Sequence, residues 1–133
     1  MNGLQSWFSY VFDRWDDILE ATLQHARLVL IVVVAATVIS VSLGIYIERR
    51  PTLRNAVLSI AGIFLTIPSL ALFALFIPLV GIGNPPAIMA LFLYSLLPIL
   101  RNTVTGLDEV SPAIVESARG MGMNRRQQLV RVR

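Results

Sequence analysis

The sequence has no cysteine, no lysine and a single histidine, His25. Without cysteine there is no disulfide framework, no thiolate metal site and no catalytic thiol. One histidine cannot build a histidine metal cluster, and a Ser-His-Asp triad is not expected. All eleven basic residues are arginine. That removes the Walker A phosphate loop, whose lysine reaches the nucleotide phosphates, so the chain is not an ATPase of that class. Charge itself is scarce: 14% of the residues are Asp, Glu, Lys or Arg, against 56% hydrophobic, where a soluble domain carries about 25% charged. Low charge with high hydrophobicity excludes disorder and argues against a water-soluble globule. The net charge of +3 is small, and no nucleic-acid partner is expected. No metal and no cofactor is expected either: Asp13, Asp16, Asp17 and Glu20 are read as a solvated helix face.

What is present are long apolar blocks. Leu28 to Ile47 is twenty residues without a charge, thirteen of them Leu, Ile or Val. As a helix it spans about 30 Å, the thickness of a hydrocarbon core. The next charge-free stretch, Asn55 to Leu100, is punctuated at Gly81, Gly83, Asn84, Pro85 and Pro86, a turn signal. It reads as two spans, 56–80 and 87–104. Pro68 and Pro78 fall inside the first, where Thr66 and Ser69 can satisfy freed carbonyls. The second has fourteen residues before Arg101 and reaches full length if Arg101 snorkels to the interface. Tyr94, Ser95 and Pro98 in this span read as helix–helix glue or as pathway lining.

Residues 1–27 carry an apolar face at helical spacing (Leu4, Trp7, Phe8, Val11, Trp15, Ile18, Leu19, Leu23, Ala26), with acids on the other face. This predicts an amphipathic helix lying on the membrane surface, or on a partner protein, and turning into the first span. The leader lacks the basic start and cleavage site of a signal peptide. The expected fold is therefore an all-α membrane protein. An amphipathic N-terminal helix (1–27) is followed by a three-span bundle (28–104, with the first span at 28–47) and a charged tail (105–133).

Arginine placement sets the expected topology. Nine of the eleven arginines lie in the 48–55 loop and in the tail from Arg101. A three-span chain puts both on one side, the cytoplasm, with the leader and the Gly-Pro loop outside.

The tail SPAIVESARGMGMNRRQQLVRVR (111–133) predicts a helix opened by a Ser111 hydroxyl cap and Pro112. Gly120 and Gly122 are expected to break it. A second helix is capped by Asn124, with Gln127 at capping-box spacing and an apolar edge of Leu129, Val130 and Val132. On pattern alone this is equally a docking element for a soluble partner or a basic juxtamembrane tail that holds anionic lipid. An autonomous pore-forming peptide is a third reading.

The tail resembles the EAA loop of permease subunits of binding-protein-dependent ABC importers. That motif runs E-A-A, three residues, G, nine residues, then I-x-L-P. Here Glu116-Ser117-Ala118 is followed by Gly122 and, after nine more residues, by Val132. Thr66–Leu107 and the GMGM at Gly120–Met123 are similar to the osmoprotectant branch, which takes up glycine betaine, choline, carnitine and related solutes. The resemblance implies a non-enzymatic transport subunit of a bacterial or archaeal cytoplasmic membrane. It would work with a separate ABC ATPase subunit, an extracytoplasmic substrate-binding protein and a second permease subunit. The EAA loop would form a coupling helix that docks on the ATPase through Glu116, Ser117, Ala118, Gly120 and Gly122. Substrate recognition in this family belongs to the separate binding protein, so no substrate residue is assigned. Family members continue past the L-P with at least two more spans. By that comparison the chain is expected to be truncated within the EAA loop and not to transport by itself.

Overall fold

A computed structural model describes residues 3–132, with side chains from Phe8 onward. The described chain is seven helices: α1 (Gly3–Asp13), α2 (Trp15–Ile47), α3 (Pro51–Thr66), α4 (Ser69–Val80), α5 (Asn84–Asp108), α6 (Pro112–Gly120) and α7 (Arg125–Arg131). Two of them, α2 and α5, are long and apolar enough to cross a membrane, and α3 with α4 forms a bent pair that makes up to a third span.

The leader differs from expectation. The chain breaks at Arg14 (φ −117°, ψ 24°), and α2 then runs 33 residues without interruption, about 50 Å. Residues 15–27 therefore continue the axis of the first span, with no turn at Arg27. Nothing from Trp15 to Arg27 is Gly or Pro, and Asp16 and Asp17 sit in the first turn, where negative charge suits the helix dipole. Leu4 and Trp7 lie outside the residues whose side chains are described. Phe8, Tyr10, Phe12 and Trp15 are all more than half exposed, and the Arg14 guanidinium lies 5.0 Å from the Tyr10 ring centroid.

The helix α2 buries one narrow stripe: Val32, Ala36, Ser40, Gly44 and Ile47. The four-residue step puts them on one face, and three of the five are small. That face lies on α5, which buries Pro86, Ala90, Leu100, Val104 and Leu107. At Gly44 an added Cβ would meet Thr103 Cγ2 at 2.8 Å, so the backbones approach as closely as glycine allows. The Ser40 hydroxyl donates to the Leu96 carbonyl at 3.4 Å. Ser40 thus matches Leu96, and Gly44 matches Leu100 and Thr103, so α2 and α5 run parallel.

Two parallel helices require the chain to return between them, and α3 and α4 carry it back. Instead of one span over 56–80, the structure has α3 beginning at Pro51 and two helices meeting at 98°. Proline is the reason: Pro68 has no N–H to continue α3 and disfavours helical geometry at Ile67, which is extended (φ −79°, ψ 128°). The Thr66 hydroxyl donates to the Ile63 carbonyl at 2.7 Å, as the sequence suggested, whereas Ser69 makes no such bond. The Tyr94 hydroxyl donates to the Ile67 carbonyl, pinning the corner to α5. Pro78, by contrast, stays inside α4 and Pro98 inside α5. The third span is longer than 87–104, running from Asn84 to Asp108.

The core lies where α2, α3 and α5 meet. Ile47, Leu100 and Val104 are its buried centre, with Leu43, Val57 and Leu58 packed around them. Beside it is a mainly apolar cavity of about 210 Å³ whose walls include Ser40, Ala61, Phe64 and Phe92.

Candidate coupling site

The ends of α2 and α5 and the start of α3 come together at one end of the bundle. The parallel course of α2 and α5 therefore delivers residues 48–55, a short turn and the first part of α3, and the tail to the same place. An ion pair ties them: Arg54 Nη1 lies 2.7 Å from Asp108 Oδ2, with both side chains partly exposed. The Arg50 guanidinium donates to the Tyr46 hydroxyl at 2.7 Å and lies over its ring at 4.4 Å. Arg101 is exposed, seven residues from the end of α5.

The helix α6 starts at Pro112. The Ser111 hydroxyl does not cap it. The Ser111 carbonyl instead accepts from the Ile114 and Val115 amides at 3.0 and 3.3 Å. The predicted break at Gly120 is also displaced, since Gly120 is the last helical residue. The terminator is Gly122, at φ +79°. The Met123 amide donates to Ala118 O at 3.1 Å and the Gly122 amide to Arg119 O at 3.0 Å. This is the Schellman arrangement, which places glycine in left-handed geometry to satisfy the last carbonyls.

The second tail helix forms as the sequence indicates. The Asn124 side chain accepts from the Gln127 amide at 2.9 Å, and the Asn124 amide donates to Gln127 Oε1 at 2.8 Å, a complete capping box. Gln128, missed by sequence reasoning, is buried and donates from Nε2 to the Met123 carbonyl at 2.7 Å, fixing α7 to the turn. Of the expected apolar edge, Leu129 and Val132 are half-buried, but Val130 is 83% exposed.

The five residues singled out in the tail divide by face. Val115 and Ala118 are buried, at 8% and 2% exposure. At about 100° per residue, Glu116, Ser117 and Gly120 then point the opposite way, and all three are exposed. Ala118 therefore lies on the inner face of α6, the helix that packs against α7. The Ser117 hydroxyl is engaged with the Ala113 carbonyl at 2.8 Å. Gly122 lies beyond the helix, exposed, with open space around it. Ile114 and Met121 flank the outward strip and are 56% and 70% exposed. The outer face of α6 thus combines one carboxylate, small residues and two uncovered apolar side chains.

Two clefts border α6 and α7. One, about 410 Å³, has Glu48, Asp108, Glu116 and Arg119 on its walls. The other, about 340 Å³, has Arg49, Arg50 and Arg125 alongside Tyr46 and Gln128. Glu48, Arg49, Arg50, Arg54 and Asp108 also stand at this end, and the motif did not flag them. Their charge and their position next to a span end were the available signals. Among the described residues no group of three or more His, Cys, Asp or Glu comes together to hold a metal.

Comparison with known proteins gives the family. Residues 36–133 match the family described as binding-protein-dependent transport system inner membrane component. The chain is 47% identical over 125 residues to the osmoprotectant import permease protein OsmW of Salmonella typhimurium, covering 90% of this chain and 58% of that protein. It is 44% identical over 113 residues to the glycine betaine/carnitine/choline transport system permease protein OpuCB of Bacillus subtilis, covering 85% and 52%. It is 38% identical over 129 residues to the carnitine transport permease protein OpuCD of Listeria monocytogenes, covering 97% and 58%. The chain thus spans a little over half the length of these relatives. No solved structure gives a significant match. The chain belongs to the family of binding-protein-dependent transport system inner membrane components, the multi-pass permeases of ABC importers.

Proposed function

We propose that the chain serves a permease subunit that moves compatible solutes of the glycine betaine, choline and carnitine class across a bacterial or archaeal cytoplasmic membrane. A separate ATPase drives it through α6. The substrate class rests on the relatives, whose names specify osmoprotectants, choline, carnitine and glycine betaine. An extracytoplasmic binding protein and a second permease subunit complete the proposed assembly.

The observation that carries the coupling reading is the split of α6 into two faces. A helix that turns Val115 and Ala118 inward and displays Glu116, Ser117 and Gly120 has an outer face open to a partner. Glu116 offers a charge for a basic group, and Gly120 lets a second surface come close. In the proposed topology α2, the α3–α4 pair and α5 make three crossings. The end bearing Arg49, Arg50, Arg54 and the tail faces the cytoplasm, because arginine-rich segments stay inside.

Co-purification tests the reading. Glu116→Lys and Gly122→Trp each remove the ATPase subunit from the detergent-solubilised assembly, while Ile82→Ser, at the far end of the bundle, leaves it bound. ATPase retained by both tail variants overturns the coupling role. Cysteines placed at Ser117 and Asn124 stay unlabelled by an impermeant thiol reagent in intact cells, and labelling from outside overturns the topology.

A further inference from the structure

The corner between α3 and α4 sits at an unexpected depth. It is pinned to Tyr94, ten residues from the start of α5 and fourteen from its end, which puts it about 15 Å and about 21 Å from the two ends. If α5 crosses the bilayer, the corner lies close to the midplane of a core about 30 Å thick.

Its backbone is only partly satisfied. The Ile63 carbonyl takes the Thr66 hydroxyl, the Phe64 carbonyl takes the Ile67 amide, and the Ile67 carbonyl takes the Tyr94 hydroxyl. Among the described residues no donor reaches the carbonyls of Leu65 and Thr66. On the other side of the corner, Pro68 stands at the cap of α4 with no side-chain acceptor to offer. The amides of Ser69 and Leu70 accordingly find no acceptor among the described residues. Nor do the described residues cover the corner: Leu65 is 44% exposed, Leu70 81%, and Thr66 and Ser69 are exposed.

Hydrocarbon does not tolerate this combination. Non-helical backbone at membrane depth persists only where it is buried in protein or lines water. The two helix ends that meet here are of opposite polarity, carbonyls from α3 and amides from α4, so both kinds of group need polar partners at one place. Neighbouring surfaces show the contrast. The exposed residues of α2 at the same level, such as Val38 and Ile39, belong to an intact helix and can face lipid.

We infer that the Thr66–Leu70 corner lines a water-filled path at mid-membrane depth, and that this break is the part of the chain bordering the route of the solute. The inference rests on the proposed role as a membrane-spanning permease, but it does not depend on the ATPase.

The test uses the natural absence of cysteine. Thr66→Cys, Ser69→Cys and Leu70→Cys are made singly, with Val38→Cys as a control facing outward at the same depth. Each is expressed in its native membrane and treated with a charged, membrane-impermeant methanethiosulfonate. Labelling after denaturation gives the total. At least two of the three corner cysteines should react about tenfold or more faster than Val38→Cys. Corner cysteines as slow as Val38→Cys mean that lipid or protein covers the break, and the inference fails. Because labelling is read without the ATPase, loss of coupling in the tail variants leaves this result intact, and the reverse also holds.

Discussion

Replacing Gly44 by alanine tests whether the close contact between α2 and α5 is as tight as it looks. The new Cβ would stand 2.8 Å from Thr103 Cγ2 and 3.1 Å from Thr103 Cβ. Thr103 cannot easily rotate its methyl away, because its hydroxyl donates to the Ile99 carbonyl at 2.8 Å, and that bond fixes χ1. The helices must part or the hydroxyl must give up its acceptor. Overpacking of this kind costs about 1–3 kcal/mol. Alanine returns at most about 1 kcal/mol through its better helix propensity. The expected net loss is therefore about 1 kcal/mol, a small number with a definite sign. Thr103→Ser supplies the check, since it deletes the offending methyl and keeps the hydroxyl bonded to Ile99. In a double-mutant cycle the Gly44→Ala penalty should shrink by about 1 kcal/mol in the Thr103→Ser background. Equilibrium unfolding in mixed micelles, followed by helical circular dichroism, measures all four proteins. A Gly44→Ala protein as stable as the parent refutes the reasoning, as does a penalty that Thr103→Ser leaves unchanged.

Two further outcomes follow from the basic end of the bundle. Asn124→Ala removes one half of the capping box and should weaken α7 by about 1 kcal/mol. Amide exchange at Gln127 and Gln128, whose amides bond to Asn124, should then speed up severalfold while α5 is unchanged. Asp108→Asn breaks the partly exposed pair with Arg54 and should cost no more than about 1 kcal/mol. The loss measured by unfolding at low salt should fade at high salt as screening grows, and a loss independent of salt would show that the carboxylate does something other than pair.

How much of this was legible depended on the kind of signal each residue gives. The span cores were visible because an uncharged apolar block has few alternatives in a short chain. The capping box at Asn124 and Gln127 was visible because its logic is local, two side chains three residues apart. The Ser111 cap misled for the same reason: the residue type allows a hydroxyl cap, but the backbone carbonyl took the amides instead. Which of two glycines ends α6 depends on a single φ angle that composition does not encode. Ala118 was grouped with the docking residues by motif, although helical arithmetic places it with Val115 on the buried side. The pattern did hold that information, but only burial of Val115 shows which side faces in. The corner at Pro68 was legible as a proline and not as a bend, since a membrane helix can carry a proline straight through, as α4 and α5 both do. What decides it is extended geometry at Ile67 and a tyrosine on another helix, and neither is a neighbour in sequence.

That tyrosine also connects the two ends of the argument. The helix α5 packs against α2, α3 and α4, and α6 follows it after only Glu109, Val110 and Ser111. A force applied to α6 in the proposed assembly would reach α5 through this short covalent link. Along α5 it meets the core at Leu100 and Val104, and then Tyr94, whose hydroxyl holds the Ile67 carbonyl. A hydrogen bond to a carbonyl beside a proline is a contact that can be lost without dismantling a helix, because Pro68 has already interrupted the ladder there. Displacement of α5 therefore acts on the corner, where movement breaks one bond, before it acts on the Gly44–Thr103 contact, where movement must separate two close-packed backbones. In the proposed assembly a push at the basic end would therefore reach the α3–α4 corner through α5 and Tyr94, where one hydrogen bond rather than a close backbone contact has to give.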